Sequence, residues 1–370
     1  MPRDVLKKKD TIDYALLLIT IAITFFGIYM VLSATYYTSM FDESNSPLTS
    51  FLSDFKKLFV ALGAMVFFIF IRMKTLKKIS PAIMIASIVM LFLTKVIGPN
   101  LNGANRWLMF GSFSFATAEF AKLASILYFA RVLENINKSE KDHQRAWLNI
   151  GVFGGISAIL IYIQPDLSTM VIYCLLLGVM LFVAGAKWRH LIIIVLIGAM
   201  LMYVAVYGTG YRRERMTGLQ SDDTVMIGDE AQANKALMSI AAGQIRGVGA
   251  GKAYQTKTAM SQAESDFIFA TVAETTGFLG CVLLITGYIF MLWRIFRAAI
   301  LTDSKYSSIV ITAIGAMIGF QALIHMLVNT KVFPVTGITL PLVSSGGTSV
   351  LILLSSIGIV LNLSAHPEGV

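Results

Sequence analysis

The sequence predicts an all-α polytopic membrane protein with about ten transmembrane helices. The chain of 370 residues is 56% hydrophobic and has a mean hydropathy of +0.74, which is too apolar for an ordinary soluble domain. Apolar runs of about 18 or more residues recur along it, and each is long enough to cross a hydrocarbon layer of roughly 30 Å as a helix. The sequence lacks the alternating ten-residue segments that are typical of membrane β-barrels.

The apolar runs also define the order of the spans within one membrane domain, residues 1–370. Four basic residues, Arg3 and Lys7 to Lys9, precede the first run. A cleaved signal peptide is the alternative for that run, although its apolar part is long for one. The predicted spans are 14–34, 56–72, 80–97, 113–133, 147–163, 167–185, 190–208, 267–293, 307–328 and 340–364.

The distribution of basic residues predicts the orientation, because cytoplasmic connections are enriched in Lys and Arg. Alternate short connections, 72–78, 131–145, 187–189 and 294–305, carry most of these residues. Both termini are therefore expected in the cytoplasm, and the long connection 209–265 outside, in a multi-pass protein of the cytoplasmic membrane. The net charge of +9 is then mainly a topology signal, and nucleic-acid binding is not expected.

The connection 209–265, between spans seven and eight, is the only long extramembrane segment predicted, and loops of this length are usually functional or disordered. Residues 231–243 have helical spacing and end in a glycine, which predicts a short helix along the outer membrane surface. A glycine-rich strip precedes Lys252, but its spacing does not match a nucleotide-binding loop. The histidines and the two cysteines are scattered, so no metal-ligand spacing is present.

Charged residues inside or beside spans are expensive to bury, which makes each a candidate functional residue. Glu119 and Lys122 lie three residues apart and would share one face of the fourth span. They could form an ion pair that locks helices together, or line an outward-facing cavity for a lipid headgroup.

Two short outer connections carry further candidates. Gln164, Pro165 and Asp166 form a tight turn between two spans, in which Asp166 could cap the next helix or contact substrate. Arg106, beside Trp107, could anchor at the membrane interface or clamp a phosphate with its planar guanidinium group.

The strongest candidate is Asp266, where the long loop meets the eighth apolar run. A carboxylate at this boundary can ionise and still reach a lipid headgroup. The alternative is a helix cap, because Ser265 and Asp266 precede an apolar run. Near the C-terminus, prolines 334 and 341 and the Ser344 to Gly347 stretch predict a broken helix that faces protein or a cavity. Gly346 and Gly347 are its glycine pair.

Six motifs together resemble the SEDS family (shape, elongation, division and sporulation), represented by FtsW, RodA and SpoVE. The resemblance covers nearly the whole chain, and the spacing from Gly247 to Asp266 is closer to the FtsW type than to the RodA type. The motifs are Gly103–Trp107, Ala118–Lys122, Gln164–Asp166, Tyr211–Arg213, Asp266–Ala270 with Glu274, and Pro334–Gly337 through Gly346 and Gly347.

The resemblance implies a ten-span glycosyltransferase that polymerises lipid II into peptidoglycan strands at the outer membrane face. Its implied partners are a class B penicillin-binding protein, which is a transpeptidase, and proteins of a division or elongation complex. Asp266 matches the family's essential loop aspartate, Glu119 and Lys122 its intramembrane pair, and Arg106 its conserved arginine. The chain departs from the family pattern at Ser261, Gln262, Lys235, Thr275 and Ser345.

The predicted mechanism uses Asp266 as a general base on the acceptor sugar hydroxyl. Pyrophosphate is a good leaving group, so the paired carboxyl groups of a glycosidase are not needed. Charge on the pyrophosphate could be stabilised by a divalent cation, Mg²⁺ or Mn²⁺, or by chain residues. A flippase for the lipid-linked precursor and a non-catalytic division scaffold remain the alternative functions. The candidate charge-stabilising or substrate-binding residues are Arg106, Glu119, Lys122, Arg212, Arg213, Lys252, Glu274, Ser344, Gly346 and Gly347.

Overall fold

The architecture is a bundle of membrane-length helices. A computed structural model describes residues 12–41, 47–100, 104–111, 113–136, 139–186, 229–253, 263–333 and 335–366. The helices are α1 (Tyr14–Phe41), α2 (Pro47–Phe70), α3 (Met73–Ile97), α4 (Thr117–Leu133), α5 (Glu140–Asn149), α6 (Gly155–Ile163), α7 (Leu167–Val183), α8 (Asp229–Gly243), α9 (Ile268–Leu301), α10 (Lys305–Asn329) and α11 (Gly347–Ala365).

Among the described residues, six helical stretches are long and apolar enough to span a membrane, and α7 is a shorter apolar helix. The prediction of a polytopic helical membrane protein is therefore confirmed, with one short β-hairpin beside the helices. The predicted seventh span, 190–208, lies outside the described residues. α10 and α11 form the centre, because 72% and 83% of their apolar windows are buried, against 22% for α9.

Several predicted spans have different boundaries in the structure. The second begins at Pro47 rather than at 56 and the third at Met73 rather than at 80, and three further differences involve structure that is not α-helical. The fourth begins at Thr117 rather than at 113, because Phe113–Ala116 forms strand β2, antiparallel to β1 (Trp107–Phe110). The tenth begins at Gly347 rather than at 340, and the proline-containing residues before it are irregular, as the predicted broken helix requires. The fifth extends back through the polar helix α5, joined to α6 by the π-helical turn Ile150–Gly154.

The eighth predicted span, 267–293, corresponds to α9, which is broken at Gly277 with φ 70° and ψ −167°. Residues before the break are buried, whereas Phe278 and Leu279 are largely exposed. The lipid-facing part of α9 therefore begins after Gly277, and Asp266 lies more than two helical turns beyond it.

The turn that follows α8 forms backbone hydrogen bonds with α9 on both sides of its break at Gly277. The 244–249 backbone bonds to both sides of the break: the N–H groups of 248 and 249 donate to the carbonyls of 274 and 275, and the N–H groups of 278 and 279 donate to the carbonyls of 244 and 245. The predicted helix at 231–243 is thus present as α8. It packs against α9 and α10, and a side chain at Gly243 would collide with the carbonyl oxygen of Ala273.

Candidate active site

Asp266 lies at the end of the bundle where α4, α7, α9 and α11 begin, called here the Asp266 end. The irregular 335–340 segment crosses directly over Asp266 and Arg106. A Cβ atom at Gly337 would lie 3.1 Å from Nη1 of Arg106 and 3.5 Å from Oδ2 of Asp266. Three segments that are distant in sequence therefore meet around one carboxylate and one guanidinium group.

The surroundings of Asp266 shift its pKa towards neutrality. Burial raises the pKa of the Asp266 carboxyl from 3.8 to about 6, because the charged form loses solvation. A hydrogen bond from Ser265 and the positive charge of Arg106 oppose this rise, whereas the negative charges of Glu264 and Asp166 add to it. A carboxyl group with this pKa is ionised at neutral pH but basic enough to accept a proton from substrate.

The alternative role of Asp266 as a helix cap is not supported by the geometry. The residue at the N-cap position of α9 is Phe267, and α9 has no side-chain cap hydrogen bond from it. The Asp266 carboxylate is therefore not used as the cap of α9.

Arg106 contacts the tight turn between α6 and α7. Its Nη2 donates a hydrogen bond to the carbonyl oxygen of Pro165, while its buried Nε has no hydrogen-bond partner in the described part of the chain. Arg106 thus points into the site rather than anchoring at the membrane surface.

Oδ1 of Asp166 accepts from the N–H of Thr169 at 3.2 Å, so the predicted capping role of Asp166 is confirmed. Gln164 is fully buried, and its Nε2 donates to the Leu91 carbonyl of α3 at 2.8 Å.

Glu119 and Lys122 form the ion pair that their spacing predicts. The Nζ of Lys122 lies 2.8 Å from Oε1 of Glu119, with the side chains 0% and 12% exposed. The pair lies within the first two turns of α4 and also binds the central helix, because Nε2 of Gln321 donates to the same Oε1 at 3.2 Å. Oε2 of Glu119 has no hydrogen-bond partner among the described residues, so the pair has unused acceptor capacity.

Sequence reasoning missed a polar stripe on α10, formed by Gln321, His325 and Asn329. These buried residues repeat at intervals of four, so they lie on one helix face. Gln321 contacts Glu119, the His325 Nδ1 lies 2.7 Å from the Ile338 carbonyl oxygen, and Asn329 contacts the backbone of Asp266. Three polar residues with period four inside an apolar run were the available sequence signal.

Ser344 lies beside Asp266, but its hydroxyl group is already used. Oγ donates to the Ser265 carbonyl at 2.7 Å and accepts from the Leu340 N–H at 2.7 Å. The position of Ser344 near the site is as expected from the sequence, whereas its contacts are those of a structural link.

Gly346 and Gly347 begin α11, whose N-terminus has no side-chain cap. Both line a groove between α1, α2 and the 342–350 segment. A Cβ atom at Gly347 would lie 2.9 Å from Cδ of Lys57, which pairs with Asp54 at 2.8 Å. Gly347 therefore packs against α2, and the nearest atoms to a Cβ at either glycine do not include Asp266.

The remaining candidates are dispersed. Arg212 and Arg213 lie outside the described residues, as do the departures Ser261 and Gln262. Lys252 is exposed in the turn after the glycine strip, whereas Glu274 is 1% exposed in α9, two turns beyond Asp266. The structure thus brings together Asp266, Arg106 and the 164–166 turn, with Glu119 and Lys122 connected to them through α10.

Among the described residues, no group of three or more His, Cys, Asp or Glu side chains could hold a metal ion. A bound Mg²⁺ or Mn²⁺ therefore remains a prediction. Chemically, the site combines the partly buried Asp266 carboxylate, the Arg106 guanidinium group with its unpartnered Nε, and the buried Lys122 ammonium group. The Lys122 ammonium group is connected to α10 through Glu119. This set can remove a proton from an alcohol and stabilise a neighbouring anion.

Comparison with solved structures supports the same architecture. The chain aligns with Rod shape determining protein RodA of Thermus thermophilus at a TM-score of 0.70 and 25% identity, covering 96% of this chain and 98% of the other. It aligns with a chain of a peptidoglycan synthase complex that coordinates polymerization and crosslinking at a TM-score of 0.78 and 24% identity, with the same coverage.

Sequence relatives give the family. Stage V sporulation protein E of Bacillus subtilis is 32% identical over 367 residues, covering 97% of this chain and 98% of the relative. A probable peptidoglycan glycosyltransferase FtsW of Thiomicrospira cyclica is 38% identical over 280 residues, covering 75% and 72%. The FtsW/RodA/SpoVE family, described as cell cycle proteins, matches residues 14–369. The chain therefore belongs to the FtsW/RodA/SpoVE family.

Proposed function

We propose that this protein is a peptidoglycan glycosyltransferase that polymerises lipid II into glycan strands, with Asp266 as its general base. The observation that carries the proposal is the Asp266 carboxyl, with its pKa raised to about 6, beside the Arg106 guanidinium group. Family membership and relatives named probable peptidoglycan glycosyltransferase FtsW support the reaction class. The FtsW and SpoVE names favour the FtsW type over the RodA type.

In the proposed reaction, the Asp266 carboxylate removes the proton of the acceptor sugar hydroxyl. The hydroxyl oxygen forms a bond to the anomeric carbon of the donor, and the bond from that carbon to the pyrophosphate breaks. The electron pair leaves with the polyprenyl pyrophosphate. A single displacement of this kind inverts the anomeric configuration, and general-base assistance is typically worth about 10²–10⁴-fold.

Arg106 is the described residue best placed to stabilise the developing negative charge. Its Nε has no partner among the described residues, and a Cβ at Gly337 would lie within 3.5 Å of both Arg106 and Asp266. A guanidinium group preorganised at a water-poor site stabilises an anion more strongly than it would in water. The Glu119–Lys122 ion pair would contribute to the electrostatic potential on the membrane side of this anion.

The opposite end of the bundle favours an enzyme over a flippase. There, Nζ of Lys77 pairs with Glu134 at 2.7 Å and lies 4.8 Å from the Tyr306 ring centre, and Arg131 donates to the carbonyls of 77 and 78. These contacts tie α3, α4 and α10 together. A flippase must open at both ends during its cycle.

The basic connections support a cytoplasmic-membrane location with the Asp266 end facing outward. At that face the protein would meet lipid II and a class B penicillin-binding protein. A family neighbour of known structure forms part of a peptidoglycan synthase complex, which supports a transpeptidase partner. Division or elongation proteins would recruit the pair.

The test is glycan polymerisation by the purified protein, alone and with its penicillin-binding partner, from labelled lipid II. Asp266→Asn is expected to lower the rate per folded molecule by about 10²–10⁴-fold. The matched control is Asp303→Asn, which removes an exposed carboxylate between α9 and α10, at the opposite end of the bundle, and is expected to retain the rate.

Each alternative function gives a distinct result. A flippase would move the lipid across proteoliposome membranes without forming polymer. A scaffold would form no polymer in any preparation of the wild-type protein. Polymerisation by Asp266→Asn at the wild-type rate would exclude Asp266 as the base while leaving the reaction class intact.

A further inference from the structure

The backbone around Asp266 is held by four consecutive carbonyl groups, residues 263–266. Each accepts a hydrogen bond from a different donor: the hydroxyl of Thr271 at 3.3 Å, the N–H of Ser345 at 2.9 Å, the hydroxyl of Ser344 at 2.7 Å and the amide of Asn329 at 3.1 Å. The segment that carries Asp266 is therefore fixed from α9, from the 344–345 segment and from α10.

Asn329 has a second contact that sets it apart from the other donors. Its Oδ1 accepts a hydrogen bond from the N–H of Ala270 at 3.1 Å. Ala270 is the third residue of α9, and its N–H is one of the groups that a helix leaves without an internal partner. A cap residue normally binds this N–H, but the cap position is occupied by Phe267, whose side chain cannot do so.

Asn329 thus performs the capping function from another helix. It is fully buried, and its Nδ2 also donates to the His325 carbonyl at 2.9 Å, so its orientation is determined on both sides of the amide. Without Asn329, the nearest polar side chain in sequence that could cap α9 is the Asp266 carboxylate.

We propose that Asn329 is a positioning residue for Asp266: it caps α9 from α10 and leaves the Asp266 carboxylate directed at Arg106 and the substrate. This inference rests on the proposed function of Asp266. The distinction from simple packing is chemical, because a carboxylate recruited as a cap is stabilised in its charged form and becomes a weaker base.

The first test is the pH–rate profile of Asn329→Leu, which retains volume and removes both hydrogen bonds. Among the described residues, the charged groups that act on the Asp266 carboxyl are Arg106, Asp166 and Glu264, and all three remain. Recruitment of Asp266 as the cap is expected to move the acid limb down by about one pH unit. It is also expected to lower kcat about 10–100-fold with little change in KM, because the base is displaced.

A second variant predicts the opposite shift. Asn329→Asp retains an acceptor for the Ala270 N–H but adds a negative charge near Asp266, so the acid limb is expected to move up. General loss of stability would reduce the amount of folded enzyme in both variants without moving the limb in opposite directions. An unchanged limb and kcat in Asn329→Leu would overturn the inference.

The matched control is Asn362→Leu. Asn362 is also a buried asparagine, and its Nδ2 donates to the carbonyls of 68, 69 and 71 at the C-terminal end of α2. Its loss is expected to lower the melting temperature and to leave the acid limb in place.

Two measurements keep the inference testable independently of catalysis. Infrared titration of the Asp266 carboxyl, assigned by subtraction of Asp266→Asn, is expected to show a lower pKa in Asn329→Leu than in wild type. Hydrogen exchange of the Ala270 N–H in the wild-type protein is expected to be slow, and rapid exchange would overturn the capping role. A wild-type protein that forms no polymer but passes both measurements would contradict the proposed function alone.

Discussion

The two ends of the bundle are built differently. At the opposite end, regular helices are joined by ion pairs: Nε of Arg294 in α9 donates to Oδ2 of Asp13 at 3.0 Å, and Lys77 pairs with Glu134. At the Asp266 end, helices begin irregularly, backbone carbonyls are held by side chains from other segments, and buried polar atoms of Arg106 and Glu119 have no partner in the described chain.

This difference suggests two roles: the ion pairs of the opposite end stabilise the bundle, and the Asp266 end carries the proposed chemistry. Paired charges at the opposite end satisfy one another, so they join helices and offer no unused charged group to a ligand. The buried groups without a partner at that end, among the described residues, are the neutral hydroxyls of Tyr306 and Ser307. Unpartnered buried donors and acceptors are costly and are expected where a substrate supplies the missing partner. The comparison predicts that mutations at the two ends will have different consequences.

The largest effect is expected where the Asp266 end depends on close backbone contact. Gly243→Ala places a methyl group against the carbonyl oxygen of Ala273, and the backbone of both segments would have to move. The expected loss is about 3 kcal/mol or more of unfolding free energy, measured by thermal denaturation in detergent. The control is Gly63→Ala in α2, where a Cβ meets no described atom within 4 Å. Equal stability of the two variants would contradict the close contact between α8 and α9.

A smaller loss of stability is expected at the opposite end. Asp13→Asn removes one charge of a largely buried pair whose side chains are 11% and 14% exposed, and leaves Arg294 without a counter-charge. The expected cost is about 2 kcal/mol, read as a lower melting temperature. Turnover per folded molecule should remain at the wild-type value, and a fall in that turnover would break the separation between the two ends.

The smallest effect concerns the pH dependence of the reaction. Because Asp266 must be deprotonated to act as the proposed base, the wild-type rate should rise with pH through the Asp266 pKa of about 6. Glu264 raises this pKa by its negative charge, so Glu264→Gln should lower it and move the acid limb down by about half a pH unit. An upward shift would contradict the assigned electrostatics.

Local patterns were sufficient to predict part of this structure. The spacing of Glu119 and Lys122 predicts their pairing because residues three apart share a helix face, and Asp166 is a cap because its carboxylate reaches an N–H three residues away. Apolar run lengths predicted most helices. These features depend on neighbours within one or two helical turns.

Long-range contacts were not predictable in the same way. Asn329 and Asp266 are 63 residues apart, and nothing in either local sequence indicates that one caps the helix following the other. The start of α4 was missed because Phe113–Ala116 is apolar enough to continue a helix, and its pairing with β1 made it a strand. The break at Gly277 was not predictable either, because its hydrogen-bond partners lie in the 244–249 segment, which is distant in sequence.

The central claim, that chemistry belongs to the Asp266 end alone, is tested most directly by one paired measurement. Glycan polymerisation from lipid II is measured for Asp266→Asn and Asp13→Asn, with each rate divided by the amount of folded protein. The account predicts a loss of about 10²–10⁴-fold for Asp266→Asn and an unchanged rate for Asp13→Asn. Equal rates for the two variants would contradict it.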